Sequence, residues 1–343
     1  MLVTSFTNVT YLTGFTGDDS FLLVTRDGEI LITDFRYVIQ LGDECPGLKL
    51  EVRKTGSGKS IVDSVAKVCR SAKVSKLAIE ADVMTVALHG QLSEKLPKVS
   101  LLPSRGLVEE LREIKDRDEI AQIRSAVKIA EKAFGVVRAG LLPETTERQI
   151  ANALDHQIRL FGGNGLSFEP IVAVGPRAAL PHGHATDKKV CESDLLLIDW
   201  GAYSGLYLRD LTRVLVTGRI SPKLERVYGV VLKAQQRAIA SIKPGVSMDV
   251  VDDAARSFIA KEGFGKHFGH GLGHGIGLEI HENPRISKTS KQPLKAGMIV
   301  TVEPGIYLKG WGGVRIEDDV LVTKTGHEVL SSVSKNLEDC IVG

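Results

Sequence analysis

A glycine- and histidine-rich stretch at residues 269–282, GHGLGHGIGLEIHE, constrains this chain more than any other segment. It carries His270, His274 and His281, interleaved with five glycines. Because glycine allows dihedral angles and close approaches that other residues do not, the stretch is a poor helix and a poor regular strand. Imidazole is the commonest metal ligand and titrates near neutrality. A loop with solvated histidines would explain one His-Gly pair, whereas three histidines followed by acidic residues favour a functional site.

Asp199 and Asp210 lie in strand-like runs upstream of this stretch. Asp199 follows the apolar residues LLLI, and a carboxylate in such a strand costs free energy unless it is paired or binds a metal. A two-residue loop at positions 204–205 would place Asp199 directly opposite Asp210, with their Cβ atoms about 5 Å apart. Like charges repel at that distance, so a cation between them is favoured. The alternative is a salt bridge from one aspartate to Arg209 or Arg213.

Glu303 and Glu317 repeat this arrangement in the runs VTVEPGIY and VRIED, which the glycine-rich LKGWGG joins. A hairpin centred on Gly310 would bring the two carboxylates opposite each other. Two carboxylate pairs on two hairpins, together with one histidine, are the inventory of a two-metal site. Carboxylates bridge hard or borderline divalent ions, and a single imidazole suits manganese, cobalt, iron or zinc.

Composition and charge exclude several other classes of protein. Lysine and arginine total 44 against 42 acidic residues, and a net charge of +2 gives no electrostatic reason to expect a nucleic-acid or membrane partner. The four cysteines have no CxxC spacing, so neither a zinc ribbon nor a disulfide framework is expected. The N-terminus lacks the basic and apolar regions of a signal peptide, and no apolar run reaches membrane-spanning length. The sequence therefore predicts a soluble, cytoplasmic protein with reduced thiols.

The length of 343 residues exceeds a typical single core and predicts one large domain and a smaller one. Residues 1–110 alternate short strands and helices and are predicted to form a small α/β N-terminal domain. Residues 111–343 carry the motifs and are predicted to form a catalytic domain, a sheet with helices on one side, so the fold class is α+β. The predicted elements include a hairpin turning at 26–28, a strand at 76–80, and helices at 61–72, 107–138, 147–161, 222–242 and 247–261.

The GSGKS segment at residues 56–60 is similar to part of a phosphate-binding loop. Such a loop needs a glycine five residues before the GK pair, where this chain has Arg53. A loop that caps the following helix explains the segment better than nucleotide binding does.

Together, these motifs resemble those of the pita-bread (M24-type) metallopeptidases, in particular the aminopeptidase P and prolidase group that acts on Xaa-Pro bonds. The matching motifs are IDWGA, DLTR, GHGIGLEIHE, VEPGIY and VRIEDD, and YLTGFTG and LITDFRY resemble the creatinase-type N-terminal domain of the group. The resemblance implies a pita-bread catalytic domain that binds two divalent metals. Manganese is the first candidate, with cobalt, zinc or iron as alternatives. The implied metal ligands are Asp199, Asp210, His274, Glu303 and Glu317, with Asp210 and Glu317 bridging.

The same resemblance implies roles around the metals. His182, His270 and His281 match histidines that contact the substrate or the tetrahedral intermediate. Arg315 matches an arginine that supports the ligand carboxylates, and it is also predicted to bind the substrate. Glu303 is the candidate for taking the proton of the metal-bridging water, whose hydroxide would attack the scissile carbonyl.

Arg285, in the run HENPRIS, matches the arginine with which prolidases receive the terminal carboxylate of a dipeptide. The alternative is that Arg285 pairs with a nearby acid such as Glu282. The chain departs from the family pattern at Leu206 and Arg209. On a strand, Arg209 would face away from Asp210, so the site is expected to survive.

The implied function is hydrolysis of Xaa-Pro bonds in short proline-containing peptides, as a dipeptidase or as an aminopeptidase. A homodimer is expected, without a nucleic-acid or membrane partner. Creatinase-type hydrolysis would need the carboxylate ligands to be replaced, and a non-catalytic pita-bread protein would be expected to have lost them. Methionine aminopeptidase shares the metals but lacks the N-terminal domain. An aminopeptidase of broader specificity is the remaining alternative.

Overall fold

The computed structural model describes residues 1–53 and 60–342. Positions 56–59 of the GSGKS segment therefore lie outside the described residues. The chain forms two compact units, Met1–Leu111 and Arg112–Gly343. In the described ranges, no helix combines the length and apolar character needed to cross a membrane.

The first unit contains a mixed six-stranded sheet in the order β4-β3-β2-β1-β5-β6. Its elements are β1 (Leu2–Val3), α1 (Phe6–Thr13), β2 (Phe21–Thr25), β3 (Gly28–Asp34), α2 (Val38–Glu44), β4 (Lys49–Arg53), α3 (Ile61–Ser71), β5 (Lys76–Glu80), α4 (Val86–Lys95) and β6 (Ser100–Ser104). The predicted hairpin is confirmed, with Thr25 paired to Gly28. The predicted cap is confirmed at Ser60, whose hydroxyl accepts from the Asp63 amide and begins α3.

The second unit combines helices with several small sheets. A short helix, α5 (Glu109–Arg112), precedes it, and its elements are α6 (Arg117–Ala139), α7 (Glu147–Leu160), β7 (Gly165–Leu166), β8 (Ile171–Val174), β9 (Leu195–Trp200), β10 (Ala202–Ser204), β11 (Tyr207–Leu208), β12 (Leu211–Val216), α8 (Pro222–Ser241), α9 (Met248–Lys261), β13 (Gly273–Gly275), β14 (Glu282–Ile286), β15 (Ile299–Val302), β16 (Gly305–Leu308), β17 (Gly312–Arg315), β18 (Asp318–Val322) and β19 (His327–Val329). The main sheets have the orders β12-β9-β8 and β14-β13-β15-β18-β19. The mixture of helix and sheet confirms the α+β class.

The helix predicted at 107–138 is wrong in one respect, because it breaks at residues 113–116 into α5 and α6. Asp116 causes the break by capping the second helix. Its carboxylate accepts from the amides of Asp118 and Glu119 at 2.8 and 2.9 Å, while the Glu119 carboxylate accepts from the Asp116 amide at 2.7 Å. Such a capping box starts a new helix and so terminates the preceding one.

Strand β9 lies between two layers of helices. Leu195 and Leu197 share a core with α8 and α9, whereas Leu196, Ile198 and Trp200 share a different core with α6 and α7. The prediction of helices on one side of the sheet is therefore wrong at this strand. The uninterrupted apolar run agrees with burial on both faces, since a strand with one wet face would alternate.

The candidate metal centre and its cleft

The first hairpin places Asp199 and Asp210 near each other, although not in the predicted register. Asp199 pairs with Thr212, and the turn lies at residues 205–206 rather than 204–205. Gly205 adopts a φ of +62°, which glycine allows without strain. The register shift is two residues, and since side chains alternate along a strand, both aspartates still belong to the same face. The predicted direct opposition of the two aspartates is wrong, but their shared face is retained.

The second hairpin has the predicted centre at Gly310 and one register along its length. Val302 pairs with Asp318 on one side and Gly305 with Arg315 on the other, so Glu303 lies opposite Glu317. Between these pairs the ladder is interrupted at Pro304, which has no amide hydrogen to donate.

At this interruption, backbone amides of the hairpin donate hydrogen bonds to two neighbouring segments of the site. The Glu303 amide donates to the Leu272 carbonyl at 2.9 Å, just before the strand that carries His274. The Glu317 amide donates to the Thr212 carbonyl at 3.2 Å, on the strand opposite Asp199. The two glutamates are therefore fixed through the backbone to the elements that carry the other candidate ligands.

His274 lies on β13 between two glycines that allow close packing. A Cβ at Gly273 would come within 1.9 Å of the Thr301 carbonyl oxygen, and one at Gly275 within 2.1 Å of the Asn283 carbonyl oxygen. The Nδ1 atom of His274 lies 3.0 Å from the Gly275 carbonyl oxygen, which can only accept. That contact assigns the proton to Nδ1 and leaves Nε2 with a free lone pair.

Nε2 of His274 points at the carboxylates. It lies 3.5 Å from Glu303 Oε1 and 3.8 Å from Asp210 Oδ2. Donor atoms of Asp210, His274 and Glu317 all lie within 4.8 Å of one another, and the three side chains are buried. This is a set of oxygen and nitrogen donors that a divalent cation could share.

Buried carboxylate oxygens without partners provide an independent test of this fit. Across residues 1–53 and 60–342, Asp199 Oδ1, Asp210 Oδ1 and Glu317 Oε1 have no hydrogen-bond partner. Buried polar atoms are almost always satisfied, so each exception calls for an explanation. A divalent cation would satisfy all three oxygens, and the residues present therefore fit a metal centre.

The electrostatics of the cluster agree with this interpretation. Burial raises the pKa of Glu303 to about 8. Burial, followed by the charge of Glu317, holds the pKa of Asp210 well above its usual range, and burial also raises the pKa of Glu317 well above its usual range. Burial lowers the pKa of His274 to about 3, so this imidazole is neutral. The carboxylates would thus retain protons unless a positive charge replaced them.

Among the residues described, Arg315 is the buried cation that donates directly to a side-chain carboxylate of the candidate ligands. Its Nη2 donates to Asp199 Oδ2 at 2.5 Å, and its Nε donates to Thr212 Oγ1 at 3.0 Å. The Thr212 hydroxyl in turn donates to Glu317 Oε2 at 2.6 Å. Arg315 therefore orients ligand-type carboxylates on both hairpins, one directly and one through a threonine.

The remaining guanidinium nitrogen of Arg315, Nη1, is linked to His270 through the Tyr307 hydroxyl. Arg315 Nη1 donates to the Tyr307 hydroxyl at 2.9 Å, and that oxygen lies 2.9 Å from His270 Nε2. His270 Nδ1 lies 2.7 Å from the Gly271 carbonyl oxygen, so Nδ1 carries the proton and Nε2 accepts from Tyr307. Burial lowers the pKa of His270 to about 4, which keeps the ring neutral.

A cleft of about 450 Å³ opens onto this cluster. It is lined by nine of the ten predicted site residues, namely His182, Asp199, Asp210, His270, His274, His281, Arg285, Glu303 and Arg315. Glu317 is not part of the lining and is buried. His281 lies beside His274, with ring centroids 4.4 Å apart in an edge-to-face arrangement. Phe168, Pro170, Ile171, Pro181 and Ile280 give the same cleft an apolar wall.

Arg285 is exposed at this cleft, and the predicted alternative partner does not hold it. The carboxylate of Glu282 instead accepts from Arg112 Nη2 and from Lys115 Nζ, each at 2.6 Å. Within the described ranges Arg285 has no salt-bridge partner. The interpretation that Arg285 pairs with Glu282 is therefore wrong.

The two departures from the family pattern leave the cluster intact. Leu206 lies in the turn of the first hairpin. Arg209 is fully buried, with its guanidinium 5.9 Å from the centre of the Trp200 ring and its Nε 3.6 Å from Asp319 Oδ2. Asp319 Oδ2 also accepts from the Asp210 amide at 3.4 Å. Arg209 thus contacts Asp319, which accepts from the Asp210 amide, and not the Asp210 carboxylate.

Sequence reasoning missed Thr212 and Tyr307, which link the candidate ligands to one another. A signal for both was present in the two-residue period of strands. Thr212 follows Asp210 by two positions, and Tyr307 follows Glu303 by four, so an unbroken strand would place each on the face of a predicted ligand.

Two buried carboxylate hairpins, a histidine strand and an open cleft together define a metallopeptidase-type centre, and family comparison agrees. The model of metallopeptidase family M24 matches residues 121–324, and that of the Creatinase/Prolidase N-terminal domain matches residues 1–114. The M24 match covers more than half of the chain, so the chain belongs to metallopeptidase family M24.

Similar proteins match along nearly the whole chain. A Bacillus subtilis (strain 168) protein named Uncharacterized peptidase YqhT is 40% identical and covers 98% of this chain and 94% of its own. The structure of an Xaa-Pro dipeptidase from Bacillus anthracis has a TM-score of 0.94 at 39% identity, covering 99% of this chain and 94% of that one. The structure of X-Pro aminopeptidase from Thermotoga maritima MSB8 has a TM-score of 0.91 at 36% identity, with the same coverage of 99% and 94%. The predicted family, enzyme class and two-part pita-bread fold are confirmed.

Proposed function

We propose that this protein is an Xaa-Pro dipeptidase, a metallopeptidase that cleaves the bond before a C-terminal proline. The observation that carries the proposal is Arg285, an exposed guanidinium without a salt-bridge partner in the described chain, at the cleft that Asp199, Asp210, His274 and Glu303 also line. A dipeptide presents a free carboxylate one residue beyond the scissile bond, and guanidinium groups recognise carboxylates through paired, charge-assisted hydrogen bonds. The similarity to the Bacillus anthracis dipeptidase supports this choice.

The metals would be held by Asp199, Asp210, His274, Glu303 and Glu317, with Asp210 and Glu317 shared between them. Four carboxylates and one imidazole suit manganese, with cobalt, zinc and iron as alternatives. Two divalent cations in such a site supply Lewis acidity and an activated water for attack on a peptide carbonyl.

The chain's own residues have separate tasks in this proposal. Glu303 is the carboxylate that accepts a proton from the activated water, since it lines the cleft beside Asp199 and Asp210. Neutral His270 accepts a hydrogen bond from Tyr307 at Nε2 and donates its Nδ1 hydrogen to the Gly271 carbonyl. His281 and His182, both exposed at the cleft, contact the substrate.

Selectivity for proline follows from its backbone chemistry. The proline nitrogen has no hydrogen once it is acylated, so a site that requires a donor there rejects it. The apolar wall that includes Phe168, Ile171 and Ile280 can receive the pyrrolidine ring without such a donor. We assign this chemistry to residues 111–343 and the N-terminal domain to residues 1–110.

A substrate panel tests the proposal. We expect Gly-Pro to be hydrolysed in the presence of Mn²⁺ at a kcat/KM at least about tenfold above that of Gly-Pro-Ala, since the longer peptide loses the charge-assisted hydrogen bond to its terminal carboxylate. Gly-Ala keeps that carboxylate but lacks the pyrrolidine ring that the apolar wall would receive, so we expect it to be cleaved more slowly than Gly-Pro as well. Faster cleavage of Gly-Pro-Ala than of Gly-Pro would identify an Xaa-Pro aminopeptidase instead. Equal cleavage of Gly-Ala and Gly-Pro would identify a peptidase of broader specificity.

A further inference from the structure

An ion cluster buried beside the cleft is not part of the metal centre. It consists of Arg112, Lys115 and Glu282, whose relative exposures are 3%, 4% and 9%. Each oxygen of the Glu282 carboxylate accepts from one cation at 2.6 Å. A second acid, the half-exposed Glu279, accepts from Arg112 Nη2 at 3.0 Å. Two cations on one segment thus meet two carboxylates on another.

The two carboxylates flank His281 in sequence. His281 lies in the irregular stretch 277–281, which precedes β14, and no regular ladder of backbone hydrogen bonds holds it among the described residues. In such a stretch the position of a side chain depends on its local anchors. Glu279 on one side of His281 and Glu282 on the other are both anchored to Arg112.

The segment that carries the cations is itself held rigidly. It runs from Arg112, the last residue of α5, into the break before α6, where the Lys115 amide donates to the Gly297 carbonyl at 2.9 Å. Asp116 starts α6 with its capping box, so the position of Lys115 is fixed on both sides. Lys115 reaches the Glu282 carboxylate because the helix is broken at residues 113–116.

We propose that Arg112, Lys115 and Glu282 are positioning residues, which hold the 279–285 segment so that His281 and Arg285 face the cleft. The inference deepens the proposed function and rests on it for the roles of those two side chains. Both oxygens of Glu282 are engaged by the cluster, and no salt bridge joins Glu282 to Arg285 in the described residues. The cluster therefore fixes the geometry of His281 and leaves Arg285 available to a substrate carboxylate.

The variant Glu282→Gln tests this directly, because it keeps the shape of the side chain and removes its charge. We expect kcat/KM for Gly-Pro to fall by about tenfold to a hundredfold, as is usual when a supporting residue lets a catalytic group shift. The loss should be smaller for Gly-Pro-Ala, since both peptides use His281 whereas the dipeptide alone needs Arg285, and the part due to Arg285 should appear as a higher KM for Gly-Pro. The metal content should stay at the wild-type value, because Glu282 is not a candidate ligand.

Matched variants separate positioning from a general loss of stability. Glu328→Gln removes the exposed pair with Arg124 in the same unit and should leave both substrates unaffected. Lys115→Arg keeps the charge and should retain activity, whereas Lys115→Met should reproduce the effect of Glu282→Gln. If Glu282→Gln fails to fold, the comparison of Lys115→Arg with Lys115→Met tests the positioning role instead.

A readout that needs no activity distinguishes failure of this inference from failure of the proposed function. Amide hydrogen exchange in peptides covering residues 277–286 should be faster in Glu282→Gln by about tenfold or more, and unchanged in Glu328→Gln. Unchanged exchange, or unchanged KM and kcat with an active wild type, would overturn the positioning role. Faster exchange in a protein that does not cleave Gly-Pro would support the positioning role and reject the dipeptidase assignment alone.

Discussion

Thr212 and Glu317 are joined by a hydrogen bond of 2.6 Å from the threonine hydroxyl to the carboxylate, and this bond connects the two acidic hairpins. The same hydroxyl accepts from Arg315 Nε at 3.0 Å. One small side chain therefore satisfies a cation and an anion that are both buried. Because Arg315 also donates to Asp199, the threonine completes a path of hydrogen bonds from one hairpin to the other.

Thr212→Val should destabilise the protein, since valine has nearly the same shape and no hydroxyl. Arg315 Nε and Glu317 Oε2 would each lose a partner in a buried site, at a cost of about 1–3 kcal/mol for an unsatisfied group. Chemical denaturation of the metal-free protein measures the change. Thr212→Ser keeps the hydroxyl and should recover most of the stability, and a valine variant as stable as the wild type would show that the hydroxyl is dispensable.

Metal affinity should rise with pH. The pKa of Glu303 is about 8 in the metal-free protein, against an ordinary value of 4.5, and those of Asp210 and Glu317 are also raised. Between pH 4.5 and about pH 8, Glu303 is ionised in the unfolded chain but still protonated in the folded, metal-free protein. The metal-free protein therefore loses stability as the pH rises through this window. A divalent cation binds the ionised carboxylates and must displace their protons.

Calorimetric titration of the metal-free protein with Mn²⁺ in two buffers of different ionisation enthalpy checks this expectation. We expect net proton release near neutral pH and tighter binding as pH increases from about 5 to about 8, the window in which the carboxylates give up their protons. His274, with a pKa of about 3, contributes no proton in this range. Binding that is independent of pH, with no proton release, would contradict the assignment of these carboxylates as ligands.

Asp210→Asn should lose metal while the fold persists. The change keeps the shape of the side chain and removes the charge that two cations would share, and the adjacent strand β12 is buried along its whole length. Elemental analysis measures the metal content, and circular dichroism measures the fold. Asp187→Asn, which alters an exposed carboxylate paired with Arg148, serves as the control. Full metal content in the Asp210 variant would refute its role as a bridging ligand.

Arg285→Ala should reduce hydrolysis of Xaa-Pro dipeptides selectively. A charge-assisted contact with the terminal carboxylate contributes about 1.5–3 kcal/mol, which corresponds to about ten- to a hundredfold in kcat/KM. A tripeptide such as Gly-Pro-Ala continues as an amide at that position and should be nearly unaffected. Lys288→Ala removes a nearby cation that does not line the cleft and should change neither substrate. Equal losses on both peptides would remove the reason to assign a carboxylate contact to Arg285.

The second hairpin was predicted more accurately than the first because its turn is marked more clearly in the sequence. The glycines of LKGWGG mark the turn around Gly310 unambiguously, and the predicted opposition of Glu303 and Glu317 follows. In the first hairpin a two-residue loop could begin at Ser204 or at Gly205, and one step in the loop moves the register by two residues. An even shift keeps side chains on the same face, which is why the predicted ligands still converge.

Other features could not be read from local patterns. The capping box of Asp116 overrode the apolar periodicity that predicted one helix over 107–138. Lys115 and Glu282 are separated by 167 residues, and no periodicity relates positions so distant along the chain. By contrast, Thr212 and Tyr307 lie within four residues of predicted ligands on the same strand faces and were open to inference.

The central claim is that two divalent cations held by this cluster enable hydrolysis of Xaa-Pro dipeptides. Its most direct test is the rate of Gly-Pro hydrolysis by protein stripped with a chelator and then titrated with Mn²⁺, while bound metal per chain is counted by elemental analysis. We expect no activity without metal and a rate that rises to its maximum as two ions bind per chain. Full activity in a preparation verified to be free of metal would contradict it.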